Sequence, residues 1–189
     1  ILLGVKAPVY CLDLDSSSGK LAIGVGPEIH IAKPIAHRRY ATFDILAMPP
    51  ELRSISEPDG ADDEYLVRAR SLHFLRGGSK LIASYLNHGI VCWDIKTHAK
   101  LWQIEPGHAH RHIGFSALSP DQRGLLVSNL STGADLYRLG QSSLIQTYLQ
   151  RPPAERNYPL AVSFLHKGNA VICGASYGDV FIRDTWTGE

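Results

Sequence analysis

Ile90-Val91-Cys92-Trp93-Asp94, continued by Ile95-Lys96-Thr97, decides how this chain is read. The run is apolar throughout and closed by an acid. It suits one of many short strands rather than a helix. Comparable runs recur as Ile29-His30-Ile31-Ala32, Ala134-Asp135-Leu136-Tyr137-Arg138 and Val180-Phe181-Ile182-Arg183-Asp184. Trp93, Tyr137 and Arg183 hold the same place in their runs and stand 44 and 46 residues apart. Ala32 holds that place 61 residues before Trp93.

Each run is the third piece of a longer pattern. An alternating stretch opens it, at 9–14, 70–75, 113–118 and 160–165. A polar turn with a glycine follows (Gly19, Gly78, Gly124, Gly168), and then a more uniformly apolar stretch at 21–23, 81–85, 125–128 and 170–173. After the third run, alternation returns at 40–46, 101–105 and 144–149, as expected of an outer strand with one wet face. A repeat of about 45 residues with three or four short strands is the mark of propeller blades. The expected fold is therefore all-β: a β-propeller segment of about four four-stranded antiparallel blades. The units lie at about 5–48, 66–106, 107–150 and 157–189. The long step before Trp93 maps to 51–65, where Glu57, Asp59, Asp62, Asp63 and Glu64 crowd together; an acidic, solvated loop insertion is expected there.

Composition narrows the function classes. With 189 residues, 44% hydrophobic and 20% charged, the chain belongs to the globular range. Nineteen Lys and Arg against eighteen Asp and Glu leave +1, so no global basic field asks for nucleic acid. Three Cys and one Met exclude a disulfide scaffold, and the odd thiol count suits a reducing compartment, cytoplasmic or nuclear. No apolar run approaches the ~20 residues that span a bilayer, and Ile1-Leu2-Leu3 is too short for the core of a signal peptide.

The motifs resemble those of the WD-repeat (β-transducin-like) β-propeller family. Trp93-Asp94 at the end of a third strand looks like the close of a WD repeat, and Arg183-Asp184-Thr185-Trp186-Thr187 keeps its register with Arg in place of Trp. Gly107-His108 stands where the family places its Gly-His pair, and Leu118-Ser119-Pro120-Asp121 resembles the family's next turn. The repeats are divergent: Ala32-Lys33 and Tyr137-Arg138 replace Trp-Asp in units one and three. The resemblance implies that Trp93, Asp94, Gly107, His108 and Asp184 are structural, with the Asp residues holding turns. It also implies a ring that usually has seven blades, so the chain reads as a piece of a larger propeller. Ile1-Leu2-Leu3 would then be the outer strand of a preceding blade, and the last unit would stop before its fourth strand. A closed four-bladed ring is the alternative.

Several clusters are of types that can carry chemistry. His108-Ala109-His110-Arg111-His112 sets alternate imidazoles on one side of an extended chain, as zinc would want. With no nearby Cys or carboxylate, a loop holding one structural His is favoured. Cys11, Cys92 and Cys173 sit inside apolar strands without close partners and read as buried small hydrophobes. Asp62/Asp63 reads as a solvated pair, and Asp13 as alternating outward on its strand, near Asp15. Gly24-Val25-Gly26 is too short for a phosphate loop, and no nucleophile elbow occurs. Basic residues gather only weakly at 37–40 and 151–156, which disfavours RNA. No metal and no cofactor are expected.

The reading that follows is a non-catalytic scaffold that binds a partner protein or peptide, with no membrane. Propeller strands are consumed in packing, so recognition falls to the rim loops. In the family, loops entering first strands share a face with loops between second and third strands. Here that face would carry Asn87, His88, His110, Arg111, Arg156, Tyr158 and Tyr177, and Arg and Tyr are types that anchor interfaces. The rivals are a nucleic-acid-binding propeller and an active site in a central channel. For the latter, the first strands offer only Ser71, His73, Ser116 and Ser163.

Overall fold

The computed structural model describes residues 7–36, 39–47, 67–107, 112–141, 143–150, 158–175 and 177–189. They form four successive antiparallel meanders. The first is β1 (Val9–Leu14), β2 (Leu21–Val25), β3 (Glu28–Ala36) and β4 (Arg39–Leu46). The second is β5 (Ala69–Phe74), β6 (Lys80–Tyr85), β7 (Gly89–Asp94) and β8 (Lys100–Ile104). The third is β9 (Ser116–Leu118), β10 (Gly124–Ser128), β11 (Gly133–Arg138) and β12 (Leu144–Leu149). The fourth is β13 (Val162–Leu165), β14 (Ala170–Gly174) and β15 (Val180–Asp184). In all four, strands follow one another in chain order, which is the blade motif of a β-propeller segment. The acidic stretch 51–65 lies outside the described residues.

The register carries the repeat. Leu21 pairs with Ala32, Leu81 with Trp93, Leu125 with Tyr137 and Val171 with Arg183. The four positions matched by spacing are therefore equivalent in the ladders, although their side chains differ. Burial follows the expected division of labour. All of β10, and all of β6 except Lys80, is buried, while β4, β8 and β12 each keep an exposed side.

The strands depart from the sequence reading at three places. β9 begins at Ser116 rather than near 113, because the approach to it is irregular. A Cβ on Gly114 would lie 2.7 Å from Leu130 and 3.1 Å from the backbone of Pro159. β3 runs on past Lys33-Pro34 to Ala36. It can hold a proline because residues 33–36 pair only with β4, and β2 has already ended. Gly124 is not the turn glycine of its unit. It opens β10 opposite Arg138, and Gln122 supplies the left-handed residue (φ 59°) instead.

Contacts divide the chain into two compact units, Ile1–Gln103 and Ile104–Glu189. In the first, one cluster joins two sheets: Ile29, Ile31 and Leu46 pack with Leu72, Leu81, Tyr85 and Trp93, all buried. At roughly 1.5–3 kcal/mol for each fully buried large side chain, this face holds the sheets together. Polar ties add direction. Cys11 Sγ donates to the Ala69 carbonyl at 3.3 Å, Lys20 Nζ to the Gly78 carbonyl at 2.7 Å, and His98 Nε2 lies 2.8 Å from Asp44 Oδ1. Asp13 does not alternate outward as its place suggested. Its carboxylate accepts the Phe74 N–H, while Leu12 and Leu14 are exposed. The second unit has its own cluster of Leu126, Ala134, Leu136, Tyr148 and Val171, with Phe164 and Val162 against it. There the Tyr148 hydroxyl donates to the Thr185 carbonyl at 2.7 Å.

Candidate interaction surfaces

At one end of the strands, aspartates hold the turns. Asp94 Oδ1 accepts the Thr97 N–H at 2.8 Å, the Lys96 N–H at 3.0 Å and the Thr97 hydroxyl at 3.0 Å. Asp184 Oδ1 does the same for the N–H groups of Thr187 and Trp186, both at 2.9 Å. Backbone N–H bonds favour the ionised form, so both carboxyls titrate below their usual range, with the Thr97 and Thr187 amides as the chief causes. Two further turns use a carboxylate in the same way. Asp15 binds the Ser18 hydroxyl, the Ser17 hydroxyl and the Ser18 N–H, and Asp121 binds the Ser119 hydroxyl and the Arg123 N–H. Both are lowered, chiefly by the serine hydroxyls.

The turns at the other strand ends carry Asn87, His88, Tyr158 and Tyr177, the described members of the set expected to contact a partner. Tyr158 and Tyr177 are 50% and 45% exposed, as an interface residue requires. Asn87 and His88, in the tight turn from β6 to β7, are 8% and 7% exposed, so they offer little surface. Gly107 is exposed, with open space where a Cβ would stand. His108, His110, Arg111 and Arg156 lie outside the described residues. Within the second unit, Tyr158 borders a small cleft of about 30 Å³ between β12 and the fourth sheet. Tyr148, Leu160, Phe181 and Arg183 also line it, and the Arg183 guanidinium lies 5.7 Å from the Phe181 ring centre.

A buried polar network beside this cleft has no signature in the sequence. Asn129 Oδ1 accepts the N–H groups of Ser131, Thr132 and Gly133 at 2.8–3.1 Å. Its amide donates to Asp135 Oδ2 at 2.9 Å, and the Thr147 hydroxyl donates to Asp135 Oδ1 at 2.7 Å. Asp135 is fully buried and Asn129 nearly so. The network fixes the turn from β10 to β11, whose Leu130 and Ser131 form one lip of the cleft. An Asp in an apolar strand, one Asn six residues earlier and one Thr twelve later is too loose a pattern to find by spacing.

The polar residues of the first strands differ in exposure. Ser71 and Ser116 are buried, His73 is half-buried and Ser163 is exposed. Burial pushes the Cys11 thiol up to about 12 and those of Cys92 and Cys173 to about 11, which removes nucleophilic thiolate. Among the described residues no three His, Cys, Asp or Glu side chains gather as a metal would need, and no helix is long and apolar enough to cross a membrane.

No protein-family model matches the chain, and no curated protein matches it. Among solved structures, the chain is similar to one chain of the crystal structure of the mitotic checkpoint complex, with a TM-score of 0.66 at 15% identity. The match covers 95% of this chain and 47% of the other, so this chain spans about half of its neighbour's length. At that identity the likeness shows a shared fold: an all-β chain of four antiparallel sheets, a segment of β-propeller type.

Proposed function

We propose that this chain is a non-catalytic interaction scaffold of WD-repeat type, which binds a partner protein or peptide through one rim of its sheets. The observation that carries the reading is the exposure of Tyr158, beside an aromatic cleft whose lip is locked by the Asn129–Asp135 network, and of Tyr177 in the turn from β14 to β15. Large, stiff aromatic side chains on a pre-organised rim bind at low entropic cost. His110, Arg111 and Arg156 belong to the same proposed surface by their place in the repeat. The aspartate-held turns and the shared register of Trp93, Tyr137 and Arg183 support the WD assignment. The similar chain comes from a multi-protein complex, which favours a protein partner here too, and an intracellular setting suits the three free thiols.

The test is affinity capture from a native lysate with the full chain. Changing Tyr158 and Tyr177 together to Ala is expected to lower recovery of the specific partner at least about tenfold, the usual weight of two interface aromatics. Unchanged recovery would remove this rim from the proposal.

A further inference from the structure

The opposite ends of the strands in the second unit enclose a groove of about 590 Å³, within the range of a small-molecule or short-peptide site. Its walls are turns: 119–123 between β9 and β10, 138–139 after β11, 167–169 between β13 and β14, and Thr185-Trp186 after β15. The floor is apolar. Leu136 is buried, Phe164 and Leu139 are half-buried, and Ile145 reaches in from β12 at 36% exposure.

Two features go beyond what folding asks of these turns. Trp186 is 67% exposed. Asp184 holds this turn through the backbone N–H of residue 186, and the matching place after β7 is Lys96, so the turn itself requires no indole. The rim is also cationic. Arg123, Arg138 and Lys167 line the groove, all exposed, and Arg138 and Lys167 pair with no described carboxylate. Asp121, the one acid among the described lining residues, is already engaged by the Ser119 hydroxyl at 2.6 Å and the Arg123 N–H at 3.0 Å. Gln122 and Lys167 hold left-handed backbone (φ 59° and 60°), a conformation non-glycine residues adopt at a cost.

We propose that this groove binds an acidic peptide segment carrying one bulky apolar side chain. The carboxylates would meet Arg123, Arg138 and Lys167, and the apolar side chain would enter between Trp186 and the floor at Phe164 and Ile145. A nucleic acid strand fits less well, since it wants a continuous cationic track and several stacking aromatics in series. Here the cations ring a single apolar slot beside one indole, on a chain of net charge +1. The surface is separate from the Tyr158 rim, and neither proposal depends on the other.

The experiment measures binding to the full chain by fluorescence anisotropy. The probe is a labelled decapeptide of Asp and Glu with a single central Leu. Competitors are the same peptide with Ala for Leu, its Lys-for-acid analogue, and a decanucleotide of single-stranded RNA. The acidic Leu peptide is expected to bind. The Ala version should bind about tenfold more weakly, the Lys analogue not at all, and added salt should weaken binding. R138E with K167E should cost at least about tenfold, and W186A several-fold, whereas Tyr158→Ala should change nothing. All three altered side chains are exposed, so these variants retain the fold, and K167Q gives a milder check on charge. Equal binding of the Ala peptide, stronger binding of the RNA, or indifference to R138E/K167E would overturn the proposal.

Discussion

The carboxylate of Asp13 accepts the backbone N–H of Phe74 at 2.6 Å, so a side chain of the first sheet serves the free edge of the second. β5 is an edge strand, and its outward N–H groups lack ladder partners. Asp13→Ala removes a charged acceptor from a partly buried donor and should destabilise the first unit by about 1–3 kcal/mol. Asp13→Asn keeps an acceptor oxygen and should cost less. Urea unfolding of both variants checks the order.

Gly77 and Gly78 are adjacent, and both are left-handed, at φ 83° and 57°. Only Gly78 is confined. A Cβ there would collide with the Asp15 carboxylate, which Ser17 and Ser18 hold in place. Gly77→Ala meets open space and should cost about 1 kcal/mol of backbone strain. Gly78→Ala should cost at least about twice that. Equal midpoints for the two variants in thermal unfolding would refute the contact.

Asp135 accepts hydrogen bonds from Asn129 and Thr147 in a fully buried position. Asp135→Ala leaves both donors without this acceptor, and a loss of about 2–4 kcal/mol is expected. Asp135→Asn turns a second amide toward Asn129 and should recover only part of it. Amide hydrogen exchange at Ser131 to Gly133 should quicken in both variants, because Asn129 also anchors those N–H groups.

The lowered carboxyls set the acid response. In the folded chain Asp15, Asp94, Asp121 and Asp184 stay ionised below the usual aspartate value. The unfolded chain takes up these protons near pH ~4. Their contribution is thus complete above about pH 5 and is lost as the pH falls through the lowered folded values. Stability should be flat in these groups from neutral pH to about 5, then decline. Substituting Asp94 and Asp184 together by Asn should shallow that decline, which urea midpoints between about pH 5 and 3 will read.

Much of the fold was legible because its causes are local. Strand alternation, the continuous apolar middle strands and the acid three residues before Thr97 or Thr187 all act within a few positions. Asp94 and Asp184 hold the turns their place implied. Where a local cue misled, a non-local contact explains it. The proline in β3 is tolerated because β2 ends first, and Asp13 faces a strand 61 residues away in sequence. The candidate surface was less legible. Tyr158 and Tyr177 are exposed, while Asn87 and His88 are buried, a difference that spacing in the chain does not carry.

The sequence by itself determined a repeat of about 45 residues, its strand order and the register that makes Ala32, Trp93, Tyr137 and Arg183 equivalent. These follow from period and turn chemistry, which act along the chain. Only the tertiary structure decided which polar groups close across sheets, that Asp135 is buried in a network, and that Trp186 shares a groove with Arg138 and Lys167. Those outcomes depend on which turns the packing of neighbouring sheets brings together. Residues 138 and 186 belong to different repeats, and no local pattern links an arginine in one turn to a tryptophan in the next.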